Sequence, residues 1–149
     1  MNKPSSSLQI TRQLKHDRAR VFSALTDPAK MAQWFFGMKG GRAKVANDLR
    51  PGGTYSIEMI GDAQSCTPKG TYLEITPSER LVFSWLSCMD GSESKVTIEL
   101  FEQGAGTKLI LTHELPEAQI APHREGWTVC LDHLEIFLGR VPATVGERS

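Results

Sequence analysis

Residues 127–138, WTVCLDHLEIFL, decide the fold, because the period of the sequence changes there from that of a strand to that of a helix. Their apolar side chains recur at helical spacing and form one stripe, whose members are Trp127, Cys130, Leu131, Leu134 and Leu138. Such a stripe is typical of an amphipathic helix that packs on a core. Gly139 and Pro142 are stop signals, so we predict a helix over about residues 120–138, roughly 28 Å long.

Upstream of this helix, residues 42–115 alternate apolar and polar side chains between short runs of turn residues. A period of two with such breaks is typical of an antiparallel meander. A long helix on a sheet of this kind forms a two-layer α+β domain. We predict six strands in this region, around residues 42–47, 55–59, 71–75, 81–85, 96–100 and 109–115.

The N-terminal region predicts one more strand and two short helices. Leu8–Leu14 alternates apart from Arg12, which favours a strand. Asp17 is placed to cap a first helix, and Asp27 followed by Pro28 begins a second. The apolar faces of the two helices and the glycines that end them are Val21, Phe22 and Leu25, then Met31, Trp34 and Phe35, then Gly37, Gly40 and Gly41.

The composition predicts one soluble domain, residues 8–139, between polar tails at residues 1–7 and 140–149. The chain has 149 residues with 17 basic and 17 acidic side chains, so it lacks the basic field that nucleic acids and anionic lipids attract. No apolar run approaches the roughly 18 residues of a membrane span, and the N-terminus lacks the apolar stretch of a secretory signal. We expect no nucleic-acid partner and no membrane insertion.

The cysteines and histidines predict neither a disulfide framework nor a metal site. Three widely spaced cysteines, Cys66, Cys88 and Cys130, are odd in number and form no CxxC motif. We therefore predict a reduced, cytoplasmic protein in which Cys88 and Cys130 act as small hydrophobic residues. The four histidines show no paired ligand spacing, and no phosphate loop or dinucleotide motif is present, so no metal or cofactor is predicted.

Several ordered motifs resemble one family. They are DLRPGGTY at 48–55, GTYLEITP at 70–77, ERLVFSW at 79–85, GTKL at 106–109 and GW at 126–127. Together they resemble the START-like (SRPBCC) domains of the activator-of-heat-shock-protein-ATPase homologue family, over nearly the whole chain. The resemblance implies the helix-grip fold, in which a curved antiparallel sheet of about seven strands wraps around the long C-terminal helix and two short helices follow the first strand.

The glycines in these motifs have structural interpretations. Residues 51–53, Pro-Gly-Gly, favour a turn in which glycine supplies a positive φ. Gly70 is interpreted as a β-bulge that curves the sheet. Gly126 is interpreted as a point where the long helix approaches its neighbours closely.

The space between such a sheet and its helix is either filled by side chains or left as a pocket. Core packing alone would account for each aromatic residue, but Ser87 and His113 add polar groups to the same alternating faces, as in ligand sites. We predict a ligand cavity lined by Trp34, Phe36, Tyr55, Tyr72, Phe83, Trp85, Ser87, His113, Trp127 and Leu131.

Two residues are candidates for acid/base chemistry. His113 exchanges protons near neutral pH, and Glu74 lies in a predicted strand. The pattern leaves open which side chains of that strand point inward, Tyr72 with Glu74 or Leu73 with Ile75. No serine or cysteine lies in a motif that would place it on a strained nucleophile turn.

We expect a binding module for a small hydrophobic or aromatic molecule, as a monomer or a homodimer. A polyketide cyclase-like or hydrolase-like enzyme that uses the same cavity is the first alternative. A co-chaperone that stimulates a heat-shock-protein ATPase is the second, and it is implied by the resemblance alone.

Overall fold

The computed structural model describes residues 6–36, 41–61, 65–88 and 91–140. The predicted architecture and element order are confirmed. None of the described helices is long and apolar enough to cross a membrane. In chain order the elements are β1 (Ser7–Leu14), α1 (Arg18–Thr26), α2 (Pro28–Met31), β2 (Arg42–Asn47), β3 (Thr54–Ile60), β4 (Ser65–Cys66), β5 (Lys69–Thr76), β6 (Arg80–Leu86), β7 (Glu93–Gln103), β8 (Gly106–Glu114), a 3-10 turn (Glu117–Gln119) and α3 (Ile120–Arg140).

The strands form one antiparallel sheet in the order β1-β8-β7-β6-β5-β3-β2. The meander pairs sequential neighbours, and β1 forms one edge of the sheet beside β8, with Leu8 opposite His113. The two-residue β4 pairs with the end of β3 and was not predicted. A strand of two residues shows no period that a sequence can display.

The core lies between the sheet and α3. The five residues of the predicted stripe are at most 4% exposed. Burying one large apolar side chain stabilises a fold by roughly 1.5–3 kcal/mol, so the stripe holds α3 on the sheet. Arg12 interrupts the apolar face of β1, and its guanidinium lies 2.7 Å from Glu135 and 3.0 Å from Asp132 on α3.

The two short helices begin where their caps predict. The carboxylate of Asp17 accepts from the Arg20 N–H at 2.8 Å, and that of Asp27 accepts from the Ala29 N–H at 2.9 Å. The second helix is shorter than its spacing predicts, because Trp34 lies in the turn after α2 and donates its indole N–H to the carbonyl of Ala24 at 2.9 Å. Of the predicted stop glycines, Gly37 and Gly40 lie outside the described residues.

A register shift in β5 answers the question of orientation that the pattern left open. The pairing with β6 slips between Tyr72 and Glu74, so one extra residue lies on this strand, as in a β-bulge. Tyr72 is buried, Leu73 and Glu74 are exposed, and Ile75 again packs on the core. Neither strict alternation was correct, because a bulge changes the inward face in mid-strand.

The structure explains the glycines at positions 70 and 52 but not the one at position 126. The bulge predicted at Gly70 lies instead between Tyr72 and Glu74, and Gly70 is needed because a Cβ there would overlap the carbonyl oxygen of Ser84. Gly52 has a φ of +88° in the predicted turn. The close approach predicted for Gly126 is wrong, because a Cβ there would meet no atom within 4 Å. Gly139 was predicted to end the helix and instead lies inside it, since α3 continues to Arg140.

The described elements extend one residue into each predicted tail. Ser7, predicted as tail, pairs with Glu114 as the first residue of β1, and Arg140 belongs to α3. Ser6 is also described, and its carbonyl accepts from the N–H of Leu115 at 3.2 Å, whereas residues 1–5 and 141–149 lie outside the described residues.

The prediction of reduced cysteines is wrong for two of the three. Cys66 and Cys88 are joined as a disulfide, with Cα atoms 5.5 Å apart, within the range that this bond requires. Cys66 lies on β4, which was not predicted, and the fold brings it beside the end of β6. Cys130 is free and buried, as predicted.

Candidate functional site

The space between α3 and the sheet is largely filled by aromatic side chains, and two small cavities remain within it. The larger cavity encloses about 60 Å³ and is lined by Phe35, Met59, Cys66, Trp85, Ser87, Cys88, His123, Gly126, Trp127 and Cys130. The smaller cavity encloses about 20 Å³ and is lined by Leu25, Met31, Trp34, Phe35, Tyr55, Ile57, Tyr72, Leu81, Phe83 and Ile98. The expected open chamber is therefore mostly closed.

Phe35 separates the two cavities, since it lines both. Its ring stacks on Trp34 with centroids 4.7 Å apart and lies 5.4 Å from the ring of Trp127 and 6.2 Å from that of Trp85. Phe35 follows α2 in irregular structure rather than in a helix. Phe35 is therefore a wall that the two spaces share.

The predicted ligand residues fall into four groups. Trp85, Ser87 and Trp127 line the larger cavity. His113 and Leu131 are buried but line neither cavity. Phe36 lies outside both, in a surface groove where its ring meets His133 at 4.6 Å. The remaining four line the smaller cavity and are Trp34, Tyr55, Tyr72 and Phe83.

The larger cavity also has lining residues that the sequence pattern did not single out as ligand contacts, Phe35, Met59, Cys66, Cys88, His123, Gly126 and Cys130. His123 could have been found, because it lies four residues before Trp127 on the same helical face and is also buried. Met59 and Cys66 line the cavity because β3 pairs with β4, and Cys88 is bonded to Cys66. Contacts between such separate segments leave no local signal in the sequence.

His113 is held by hydrogen bonds at both ring nitrogens. The indole N–H of Trp127 donates to Nδ1 at 3.1 Å, and Nε2 lies 2.7 Å from the hydroxyl of Ser94. An indole can only donate, so Nδ1 accepts and the neutral ring carries its proton on Nε2. Burial, with a smaller contribution from nearby His123, lowers the pKa of His113 to about 3.

This arrangement does not make Ser94 a nucleophile. A base must accept the hydroxyl proton, whereas Nε2 of His113 already carries a proton and donates it toward Ser94. The second acid/base candidate, Glu74, is exposed and lies 3.2 Å from the guanidinium of Arg80. Because Glu74 is exposed and His113 is buried in the core, the two side chains lie on opposite sides of the sheet.

The polar groups of the smaller cavity are paired. The hydroxyl of Tyr55 donates to the carbonyl of Ser84 at 2.6 Å, and Asn47 donates to the hydroxyl of Tyr72 at 3.1 Å. Burial raises the pKa of both tyrosines, so both stay protonated. With the Trp34 indole also paired, this cavity has the character of ordinary core.

The larger cavity contains an unpaired donor and an open space. Trp85 is 6% exposed, and its indole N–H is buried with no hydrogen-bond partner among the described residues. Gly126 lies in the middle of α3 beside unoccupied space. Burial raises the pKa of the Cys130 thiol to about 12, so the thiol is uncharged. Within the part of the chain that the structure describes, no three His, Cys, Asp or Glu side chains converge as a metal site.

Comparisons with known proteins agree with this fold. The family model described as Activator of Hsp90 ATPase homolog 1-like protein matches residues 15–139. A search among curated proteins finds no match.

Among solved structures, protein CV1439 from Chromobacterium violaceum is 30% identical, with a TM-score of 0.78 over 87% of this chain and 94% of that one. CalU16 from Micromonospora echinospora is also 30% identical, with a TM-score of 0.70 over 88% of this chain and 74% of that one. An AHSA1-like protein from Aeromonas hydrophila shares the fold, with a TM-score of 0.80 at 20% identity over 91% of this chain and 93% of that one.

Proposed function

The chain belongs to the family of Activator of Hsp90 ATPase homolog 1-like proteins, and from that premise we propose that it binds a small apolar or aromatic molecule in the larger cavity between α3 and the sheet. Ligand sites in proteins are mostly apolar concavities with a few polar groups. Two tryptophans, Phe35 and Met59 supply the apolar wall, and Ser87 and His123 supply polar groups.

Gly126 is the observation that carries the proposal. Glycine in a helix interior destabilises a protein by roughly 0.5–1 kcal/mol relative to alanine. No neighbouring atom requires glycine at this position, since a Cβ would meet nothing within 4 Å. Gly126 borders the larger cavity, so its missing side chain keeps that cavity open at a cost in stability. A space kept open at such a cost supports occupation by a ligand.

The larger cavity is too small for an aromatic ligand unless a side chain of its wall moves. A buried water needs roughly 10–15 Å³ of such space, so about 60 Å³ has room for a few non-hydrogen atoms. A ligand the size of a substituted benzene therefore requires Phe35 to move toward the smaller cavity. Apolar surface that such a ligand buries contributes roughly 25 cal/mol per Å².

The other two hypotheses have less support. For an enzyme, His113 has both ring nitrogens engaged and Glu74 faces away from the cavity, so neither is placed to move a proton of a bound molecule. Stimulation of a chaperone ATPase rests on the description of the family alone and stays a prediction.

The test compares two glycines of the same helix. Benzene, α-methylstyrene and naphthalene are titrated while tryptophan fluorescence is recorded, because two of the three tryptophans line the cavity. Gly126→Ala adds one methyl group to the cavity. A misfit of about one methylene in an apolar pocket changes affinity by roughly tenfold or more. We expect that loss although the variant is as stable as the wild type or more stable.

Gly139→Ala is the matched control, since Gly139 lies in the same helix beside open space and does not line the cavity. It should bind the probes as the wild type does. If none of the three probes changes the fluorescence or the melting temperature of the wild type up to its solubility limit, the proposal is wrong. Equal affinities of the wild type and Gly126→Ala would place binding elsewhere and would equally reject it.

A further inference from the structure

Trp85 lines the larger cavity and carries a hydrogen-bond donor that has no acceptor among the described residues. Its indole N–H is buried and unpartnered among the described residues. The other two indoles are paired, Trp34 with the carbonyl of Ala24 at 2.9 Å and Trp127 with Nδ1 of His113 at 3.1 Å. Buried donors are nearly always paired, and a donor left unpaired in an apolar site costs free energy. The exception calls for an acceptor that the protein itself does not supply.

We infer that the ligand is an uncharged, flat, apolar molecule with one acceptor oxygen, a carbonyl in the simplest case, which receives the N–H of Trp85. This inference rests on the proposed function and adds the chemical class of the ligand. Most of the remaining wall is apolar, with Ser87 and His123 as its other polar residues, so the oxygen fixes the orientation of the ligand while its body provides the buried surface.

The charges around the cavity favour a neutral oxygen over a carboxylate. The described lining residues include no lysine or arginine. His113, behind the wall, is uncharged because both ring nitrogens are engaged as one donor and one acceptor. Among the described lining residues His123 is the one basic side chain, with Nδ1 engaged by the carbonyl of Gln119 at 2.9 Å, and the benzoate probe below tests whether it pairs with an anion. An anion buried without a paired cation is strongly disfavoured.

Three planar probes of nearly the same shape separate the possibilities. α-Methylstyrene has no acceptor, acetophenone has a carbonyl oxygen in place of the methylene group, and benzoate carries a charged carboxylate. Affinities are measured for the wild type and for Trp85→Phe, which keeps an aromatic ring and removes the donor. A neutral hydrogen bond favours acetophenone over α-methylstyrene by about two- to tenfold. We expect this preference to fall by that factor in Trp85→Phe, and benzoate to bind most weakly.

The wild type alone provides a second measurement, which does not depend on how well the variant folds. Acetophenone should move the indole N–H proton signal of Trp85 downfield in the NMR spectrum, and α-methylstyrene should not. The indole signal of Trp34 is the internal control, because its N–H is already bonded to the carbonyl of Ala24.

The outcomes distinguish this inference from the proposed function. If both neutral probes bind and their affinity ratio is the same in the wild type and Trp85→Phe, the inference is wrong while the proposed function stands. If benzoate binds tightest, the neutral class is wrong. If none of the three binds the wild type, the proposed function fails and the inference fails with it.

Discussion

Acid should destabilise this protein through His113, and replacing that one residue should remove a defined part of the effect. The pKa of the buried imidazole is lowered to about 3 in the fold, against roughly 6.5 in an unfolded chain. Below pH 6.5 the unfolded state therefore binds a proton that the folded state does not. Stability from this group is fully present above pH 6.5 and is lost as the pH falls toward 3.

The magnitude follows from the two pKa values. At pH 7.5 the unfolded imidazole is almost entirely neutral, so the contribution is close to zero. At pH 5.0 the difference of about 1.5 pH units from the unfolded pKa corresponds to about 2 kcal/mol, at 1.36 kcal/mol per unit. The figure depends mainly on the unfolded pKa, because the folded ring stays neutral at pH 5.0 for any folded value below about 4.

The assay is urea unfolding at pH 7.5 and pH 5.0 of the wild type and of His113→Asn. The asparagine carbonyl can still accept from the indole of Trp127, and the side chain does not titrate. The wild type should lose about 2 kcal/mol more than His113→Asn between the two pH values. Comparing the two changes in the free energy of unfolding cancels the pH-dependent contribution of the carboxylates, which both proteins share. An equal loss in the two proteins would refute the neutral, doubly bonded histidine.

Two further predictions concern stability. Trp127→Phe leaves Nδ1 of His113 buried without its donor, so it should lower the free energy of unfolding by about 1–3 kcal/mol beyond the loss of ring surface. Trp85→Phe removes a donor that has no partner among the described residues and should lower it less. Urea unfolding of both variants measures the order, and a smaller loss of stability in Trp127→Phe than in Trp85→Phe would contradict it. Reduction of the bond between Cys66 and Cys88, which are 22 residues apart, should lower the free energy of unfolding by about 3 kcal/mol through loop entropy. Unfolding with and without dithiothreitol measures this, with Cys88→Ser as the control that should not respond, and a wild type that is equally insensitive would show that the bond does not form.

Most of the fold could be predicted because its signals are local. The stripe on α3 and the bounds of β2 follow from side-chain period, which burial against one core imposes directly. The caps Asp17 and Asp27 are equally local, since each satisfies backbone donors within three residues of itself. The order of the strands within residues 42–114 also followed, because a meander pairs neighbours in sequence, whereas the pairing of β1 with β8 was not predicted.

What could not be predicted depends on contacts between distant segments. The shift between Tyr72 and Glu74 inserts one residue against β6, and a pattern of alternation has no way to show which residue is extra. The disulfide joins β4 to the end of β6, and nothing in a set of three cysteines selects that pair. Gly126 was assigned to close packing because the sequence shows only that a side chain is missing and not what surrounds the position.

Two departures from local stability rules, Gly126 and the unpaired indole of Trp85, meet at the larger cavity, and this selects between the two cavities. A sequence under selection for stability alone would place alanine at Gly126 and an acceptor beside Trp85. The smaller cavity shows neither departure, because its tyrosines and its tryptophan have partners. Packing defects of no consequence should be spread over both cavities, which share Phe35 as a wall. That the two departures meet at the larger cavity, and neither at the smaller one, is what a ligand site requires.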